Sequence, residues 1–348
     1  MSPLQPDESE RLPAAPAARA KWCLERAAED ERGGRTGDAE QGYLTAAEWA
    51  RSAAVADIEA EALSRFAVIK HHQGQPEAAR QAGLRSLAAA RSAPDRATEA
   101  QTLNVLAGLS LERGELDDAR KLFADALLLA AHREDLRAKI EQNLGIVANV
   151  QGDWGLAESH YRRALEIYRR LGDWRGEAMA CHNLGMISAD HRDYARAEQY
   201  FSEAMALARL LRDRRLEALC LLNRGEILVE RQSYAHAEHD VEGARTIFVA
   251  LESVVEEADC RRVLGAICGH TGQPERALVH LTAAIQLAID AETPLTEAEA
   301  WRELGYLRAA QGRVDEAYQA LEESVALFER LGALQEVAEV SRRLSDLV

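Results

Sequence analysis

Aromatic residues are scarce: Phe, Trp and Tyr together make up 5% of the 348 positions. A base-stacking stripe along a repeat would need rings that recur. The five tryptophans, Trp22, Trp49, Trp154, Trp174 and Trp301, share no common repeat position. The five cysteines, Cys23, Cys181, Cys220, Cys260 and Cys268, form no CxxC pair and no metal-ligand spacing, so a zinc site lacks its usual donors. An odd number of lone thiols fits a reducing compartment. Histidines lie close together only at His71–His72 and His236–His239, and neither pair belongs to an HExxH motif. No metal is expected. Nucleophile elbow, P-loop, GxGxxG and kinase signatures are all missing, so neither catalysis nor a cofactor is expected. Apolar runs stay well short of the ~18 residues that cross a membrane, and the first residues lack a secretory apolar core. A cytoplasmic protein is the expectation. Cationic charge is short as well, with 42 Lys+Arg against 58 Asp+Glu and a formal net charge of −16. Such an excess opposes binding to nucleic acid, which requires a cationic surface.

What is present is helical composition, rich in Ala, Leu, Glu and Arg, with 47% hydrophobic and 29% charged residues. Residues 1–18 hold four of the eight prolines (Pro3, Pro6, Pro13, Pro16) and are expected to be a disordered tail. From residue 19 a 40-residue period takes over. Gly152 opens its clearest copy, followed by Ala157, Tyr161 and Ala164. Forward steps of 40 give Arg192 with Ala197, Phe201 and Ala204, then Gln232 with Ala237, Val241 and Ala244. Two more give Gly272 with Ala277, Leu281 and Ala284, and Gly312 with Ala317, Leu321 and Ser324. Backward, Gly114 leads Ala119, Phe123 and Ala126 after an interval of 38. Gly74 then leads Ala79, Gly83 and Ser86, and Gly34 leads Ala39, Tyr43 and Ala46.

A second landmark precedes each turn by seven residues: Gly145, Gly185, Gly225, Gly265 and Gly305, with Ala27, Ala67 and Ala107 in the earliest copies. Turns therefore fall near 34, 74, 114, 152, 192, 232, 272 and 312, each separating two amphipathic helices. Small residues let the helices approach, and the large residue fills the gap between them. One pair cannot bury both its faces, but eight stacked pairs over residues 19–334 share a core. Residues 335–348 read as a capping helix, and an exposed apolar face on it would favour a homodimer through that end.

The arrangement of Gly145, Gly152, Ala157, Tyr161 and Ala164 resembles the tetratricopeptide repeat (TPR) in its longer-helix form, as in kinesin light chains, Leu-Gly-Asn repeat adaptors and bacterial regulators. The resemblance implies an all-α, right-handed superhelical solenoid with a concave groove lined mainly by the first helix of each pair. It also places Asn143, Asn183 and Asn223 where peptide-binding members use an amide to hold a ligand backbone. Lys139, Gln142, His182, Arg262 and Arg302 come on the groove wall by the same resemblance, beside Met179, Leu219, Leu222, Asp259 and Glu299. Two readings of the Asn run stay open: ligand contact, or hydrogen bonds to neighbouring helices. Lys139 with Asn143 and Asn183 is a partial match to a carboxylate clamp, against which stand solvated pairs within a helix.

A protein or peptide partner is expected on this basis, bound by a non-catalytic scaffold or adaptor. The alternative is a peptide-responsive bacterial regulator that acts by changing superhelix conformation. Similar regulators carry an N-terminal helix-turn-helix or helical bundle, for which the repeats, beginning near Ala20, leave no expected room.

Overall fold

The computed structural model describes residues 13–93 and 96–347. Each sequence copy forms a helical hairpin, here called helix A then helix B. The pairs are α1 (Pro16–Arg32) with α2 (Thr36–Ser52), α3 (Ala56–His72) with α4 (Pro76–Ser92), and α5 (Arg96–Glu112) with α6 (Leu116–Leu129). Next come α7 (Glu134–Val150) with α8 (Trp154–Leu171), α9 (Trp174–Asp190) with α10 (Tyr194–Leu211), and α11 (Arg214–Glu230) with α12 (Tyr234–Ala250). The series closes with α13 (Val254–His270) and α14 (Pro274–Asp290), α15 (Pro294–Ala310) and α16 (Val314–Leu331), then a lone α17 (Leu334–Ser345). No strand occurs among the described residues. The chain divides into two compact units, residues 1–176 and 177–348. Inside each, packing joins consecutive helices and also one helix A to the next, as in α3·α5 and α11·α13.

All eight expected turns sit in the left-handed backbone region, at Gly34, Gly74, Gly114, Gly152, Arg192, Gln232, Gly272 and Gly312. Glycine suits six of them. Arg192 and Gln232 hold φ of 58° and 59° at a cost of roughly 1 kcal/mol each. The 38-residue interval has a local cause: α6 has 14 residues where the other B helices have 17 or 18.

One boundary moves. The tail expected over 1–18 ends early, because α1 begins at Pro16. Proline is tolerated in a first turn, where its missing N–H would have had no intrahelical partner. Proline content therefore overstated the tail at its C-terminal side, while residues 1–12 and Pro94 lie outside the described residues.

The seam between A and B follows steric complementarity. A Cβ added to Gly145 would stand 2.5 Å from the Tyr161 ring, and one on Gly185 would stand 2.7 Å from Phe201. The ring thus occupies space that only glycine leaves open. Tyr43, Phe123, Phe201, Val241 and Leu281 are all fully buried at this position. In the second copy Gly83 takes the ring's place, and Leu106 of the following helix A fills the vacancy. Ser86, where most copies have Ala, is buried with its hydroxyl donating to the Ala60 carbonyl at 2.7 Å. Between copies, Arg51 pairs with Glu59 at 2.8 Å, Arg91 with Glu99 at 3.2 Å and Arg209 with Glu217 at 2.8 Å. Each bridge spans eight residues and ties the end of helix B to the start of the next helix A.

Helix α17 covers the last pair. Val340 is buried, and Val337, Leu344 and Leu347 pack with it against Leu327 and Phe328. Its exposed positions are mostly polar, among them Gln335, Glu339, Arg342 and Arg343. The apolar face that would have favoured a dimer through this helix is turned inward, although Leu334 at its start is exposed.

Candidate functional site

Helices A present the residues expected to meet a ligand, and each unit has its own set. In the first unit, Lys139 on α7 is exposed at the edge of a cavity of about 230 Å³. Glu61, Arg65, Gln101, Asn104 and Asp135 line the same cavity. Asn143 is half-buried and donates through Nδ2 to Asn104 Oδ1 at 3.2 Å. That bond uses one donor and one acceptor. It leaves an acceptor on Asn143 and a donor on Asn104, the complement of a peptide unit. Gln142 differs from its expected place on the wall: it is only 7% exposed, and its Oε1 has no hydrogen-bond partner among the described residues.

In the second unit, Asn223 Nδ2 donates to His182 Nε2 at 3.0 Å and lies 3.0 Å from Met186 Sδ. The proton of His182 then belongs on Nδ1, which faces Asn183 Oδ1 at 3.5 Å. Burial disfavours the imidazolium and lowers the His182 pKa below its usual 6.5. The ring also packs tilted against Phe201, with centroids 5.7 Å apart. His182, Asn183 and Asn223 are thus brought together as a neutral, mutually bonded group.

Arg262 and Arg302 lie further along the same unit. The Arg262 guanidinium meets Glu226 at 2.6 Å, Glu299 at 3.1 Å and Asp259 at 3.9 Å. Arg302 pairs with the adjacent Glu303 at 3.2 Å. Asp259 accepts from Thr296 Oγ1 at 3.0 Å, yet burial outweighs this bond and the nearby Arg262, and pushes its carboxyl up to about 6. A cavity of about 390 Å³ opens here, reached by Met186, Asn223, Glu226, Arg262, Glu299 and Arg302, among others.

The raised Asp259 value carries a pH signature. The folded chain keeps this proton up to about pH 6, whereas an unfolded chain releases it near 3.8. Stability therefore falls as pH rises between those values, and the cost is fully present above pH 6. Asp259→Asn keeps an acceptor for Thr296 and is expected to stabilise the protein at pH 7.5 by up to about 3 kcal/mol. Below about pH 4 no gain is expected. Thermal melts of both proteins at the two pH values decide it, and an equal shift at both would refute the assignment.

The two cavities also bring in Asn104, and Met186, Glu226 and Glu230, which sequence reasoning did not name. The last three recur with the period: Met186 and Glu226 are 40 apart, as are Asp190, Glu230 and His270. Asn104 lies one residue out of register with Asn143, which hid it. The five cysteines are buried and none is in a disulfide, and desolvation pushes the Cys220 thiol up to about 12. Among the described residues no three His, Cys, Asp or Glu side chains stand together as a metal set. No helix among them is long and apolar enough to cross a membrane.

Paired helices, glycine-to-ring seams and left-handed turns at a fixed period define a helical-hairpin repeat protein of solenoid class. The Tetratricopeptide repeat family model matches residues 58–130 and 136–210. Over those residues the chain carries tetratricopeptide repeats. Solved structures agree on the fold. A STAND (signal transduction ATPase with numerous domains) protein with a tetratricopeptide repeat sensor, from Pyrococcus horikoshii, superposes with a TM-score of 0.70 at 16% identity. That likeness covers 96% of this chain and 53% of the other. A Rap protein complexed with Competence and Sporulation Factor gives 0.62 at 14% identity, covering 95% and 98% of the two chains. The apo quorum sensor NprR from B. thuringiensis gives 0.60 at 13%, covering 94% and 98%. A search of curated protein sequences found no match.

Proposed function

We propose that the chain is a non-catalytic protein–protein interaction module whose A-helix faces take up a peptide or a partner helix. The observation that carries this reading is the half-buried Asn104–Asn143 pair, which is bonded to itself yet keeps one free donor and one free acceptor. A preformed helical face binds without reorganising, which limits the entropic cost of association. Lys139, Asn143, Asn183 and Asn223 are the proposed contacts, with Arg262 and Arg302 at the rim of the second cavity. His182 positions Asn223 through their shared hydrogen bond. Gln142 would contribute only if binding drew it out of its buried place.

Affinity capture from host lysate tests the proposal, comparing wild type with the Asn143→Ala/Asn183→Ala/Asn223→Ala variant after circular dichroism confirms equal helicity. A ligand held by Asn143 in the first unit, or by Asn183 and Asn223 in the second, loses one or two hydrogen bonds at about 1 kcal/mol each, a fall of roughly fivefold to thirtyfold in affinity. A partner that survives the substitutions would place binding elsewhere and make the amides structural.

A second reading, a peptide-responsive regulator, draws on the fold likeness to a Rap protein complexed with a named factor and to a quorum sensor. Small-angle scattering of the protein with and without its captured ligand separates the two. A regulator of this kind changes its scattering profile on binding, and a passive scaffold keeps it.

A further inference from the structure

The cavities on the A-helix faces of the two units differ in charge. The first is lined by two carboxylates, Glu61 and Asp135, and three cations, Arg65, Arg133 and Lys139. The second is lined by five carboxylates and two guanidinium groups, over an apolar floor that includes Ala189, Val229 and Ala266. Three of those carboxylates are already engaged, Glu226 and Glu299 on Arg262 and Glu303 on Arg302. Asp190 and Glu230 are not: neither forms an ion pair among the described residues, and both are exposed.

Their placement is mildly disfavoured by the backbone. Asp190 is the last residue of α9 and Glu230 the last of α11. Helix C-termini carry the negative end of the backbone dipole, so a carboxylate there is disfavoured and a cation favoured. Side-chain and backbone potentials therefore add at one rim of the cavity. Tyr194 also lines the cavity, and an aromatic ring beside carboxylates suits a cation. Met186, partly exposed and unbranched, gives the apolar floor a side chain that can adapt to its guest.

Resting on the interaction reading above, we propose that the second unit's cavity selects a cationic peptide segment. An Arg or Lys of the partner would sit between Asp190 and Glu230, with an apolar neighbour on the floor. Opposite charge, a preformed cavity and a ring beside the acids all favour such an occupant, whereas an acidic segment would be repelled.

The experiment is selection from a random-dodecamer display library on the full chain at 150 mM salt, which screens distant charge. Enriched peptides are resynthesised and their affinities measured by fluorescence anisotropy. Three variants are compared with wild type: Asp190→Asn/Glu230→Gln, Asn223→Ala, and a control Glu322→Gln/Glu323→Gln on α16. The proposal expects enrichment of Arg or Lys next to an apolar residue. It also expects at least a tenfold loss for the cavity variant and less than a twofold loss for the control. Enrichment of acidic or uncharged peptides overturns it, as does a library that yields no binder. Peptides weakened by Asn223→Ala but indifferent to the cavity variant overturn the charge preference and leave the interaction face standing. Peptides indifferent to both remove both readings.

Discussion

Phe201→Ala is expected to cost the second unit about 3–5 kcal/mol, the usual loss for emptying a ring from a closed core. Phe201 is fully buried, and the space around it is set by Gly185 on the facing helix A. In a stacked repeat the damage should pass to neighbouring copies, because each hairpin completes its core on the next. Urea denaturation followed by circular dichroism should show either a large fall in midpoint or a separate early transition. The matching variant tests the cause. Gly185→Ala alone drives a methyl group into the ring and should cost about 1–3 kcal/mol. In the Phe201→Ala background the same methyl enters empty space, and Ala also favours the helix by about 1 kcal/mol over Gly. The double variant should therefore be no less stable than Phe201→Ala alone. Simple additivity within about 0.5 kcal/mol would show that the two positions do not share one space.

Asp240→Ala should destabilise the same unit by about 3–5 kcal/mol through a different mechanism. Asp240 accepts two bonds from Arg224, from Nε at 2.7 Å and from Nη2 at 2.8 Å. The Asp side chain is 5% exposed and the Arg 21%. Removing the carboxylate leaves a largely desolvated guanidinium without its two-bond partner. Replacing both together, Arg224→Met/Asp240→Leu, removes the orphaned charge and should recover most of the loss. Equal melting temperatures for Asp240→Ala and the paired variant would show that the pair's desolvation is not what matters.

The hairpins were legible in the sequence because their physics repeats in register. Gly185 and Phe201 are 16 apart, as are Gly145 and Tyr161, so a close approach and the group that fills it mark each other in every copy but the second, where Gly83 replaces the large residue. Turn positions were legible for the same reason, even at Arg192 and Gln232, where glycine is absent. The start of α1 was not, because proline is a helix breaker in general and a helix starter at the first turn, and composition does not tell which. The site was harder to read. Asn143 finds Asn104 on the preceding helix A, one residue out of register. Arg262 is held by Glu226 before it and Glu299 after it, at unequal sequence distances. Such pairings depend on how neighbouring helices tilt and on which side chains lie across the gap, and a single helix's pattern contains neither. Gln142 shows the limit plainly: its register put it on a wall, and its neighbours bury it.

Within a unit the packed pairs join each helix to the next, or one helix A to the following one, and Gly225 faces Val241 as Gly265 faces Leu281. Such a chain has no closing contact that must find a distant partner. Excising residues 232–271 would bring Gly225 opposite Leu281 in a seam of the same kind. The architecture thus permits change in whole 40-residue steps. Its ancestry can be one of duplication and loss of entire hairpins, with each surviving copy free to drift in the charges it shows to solvent.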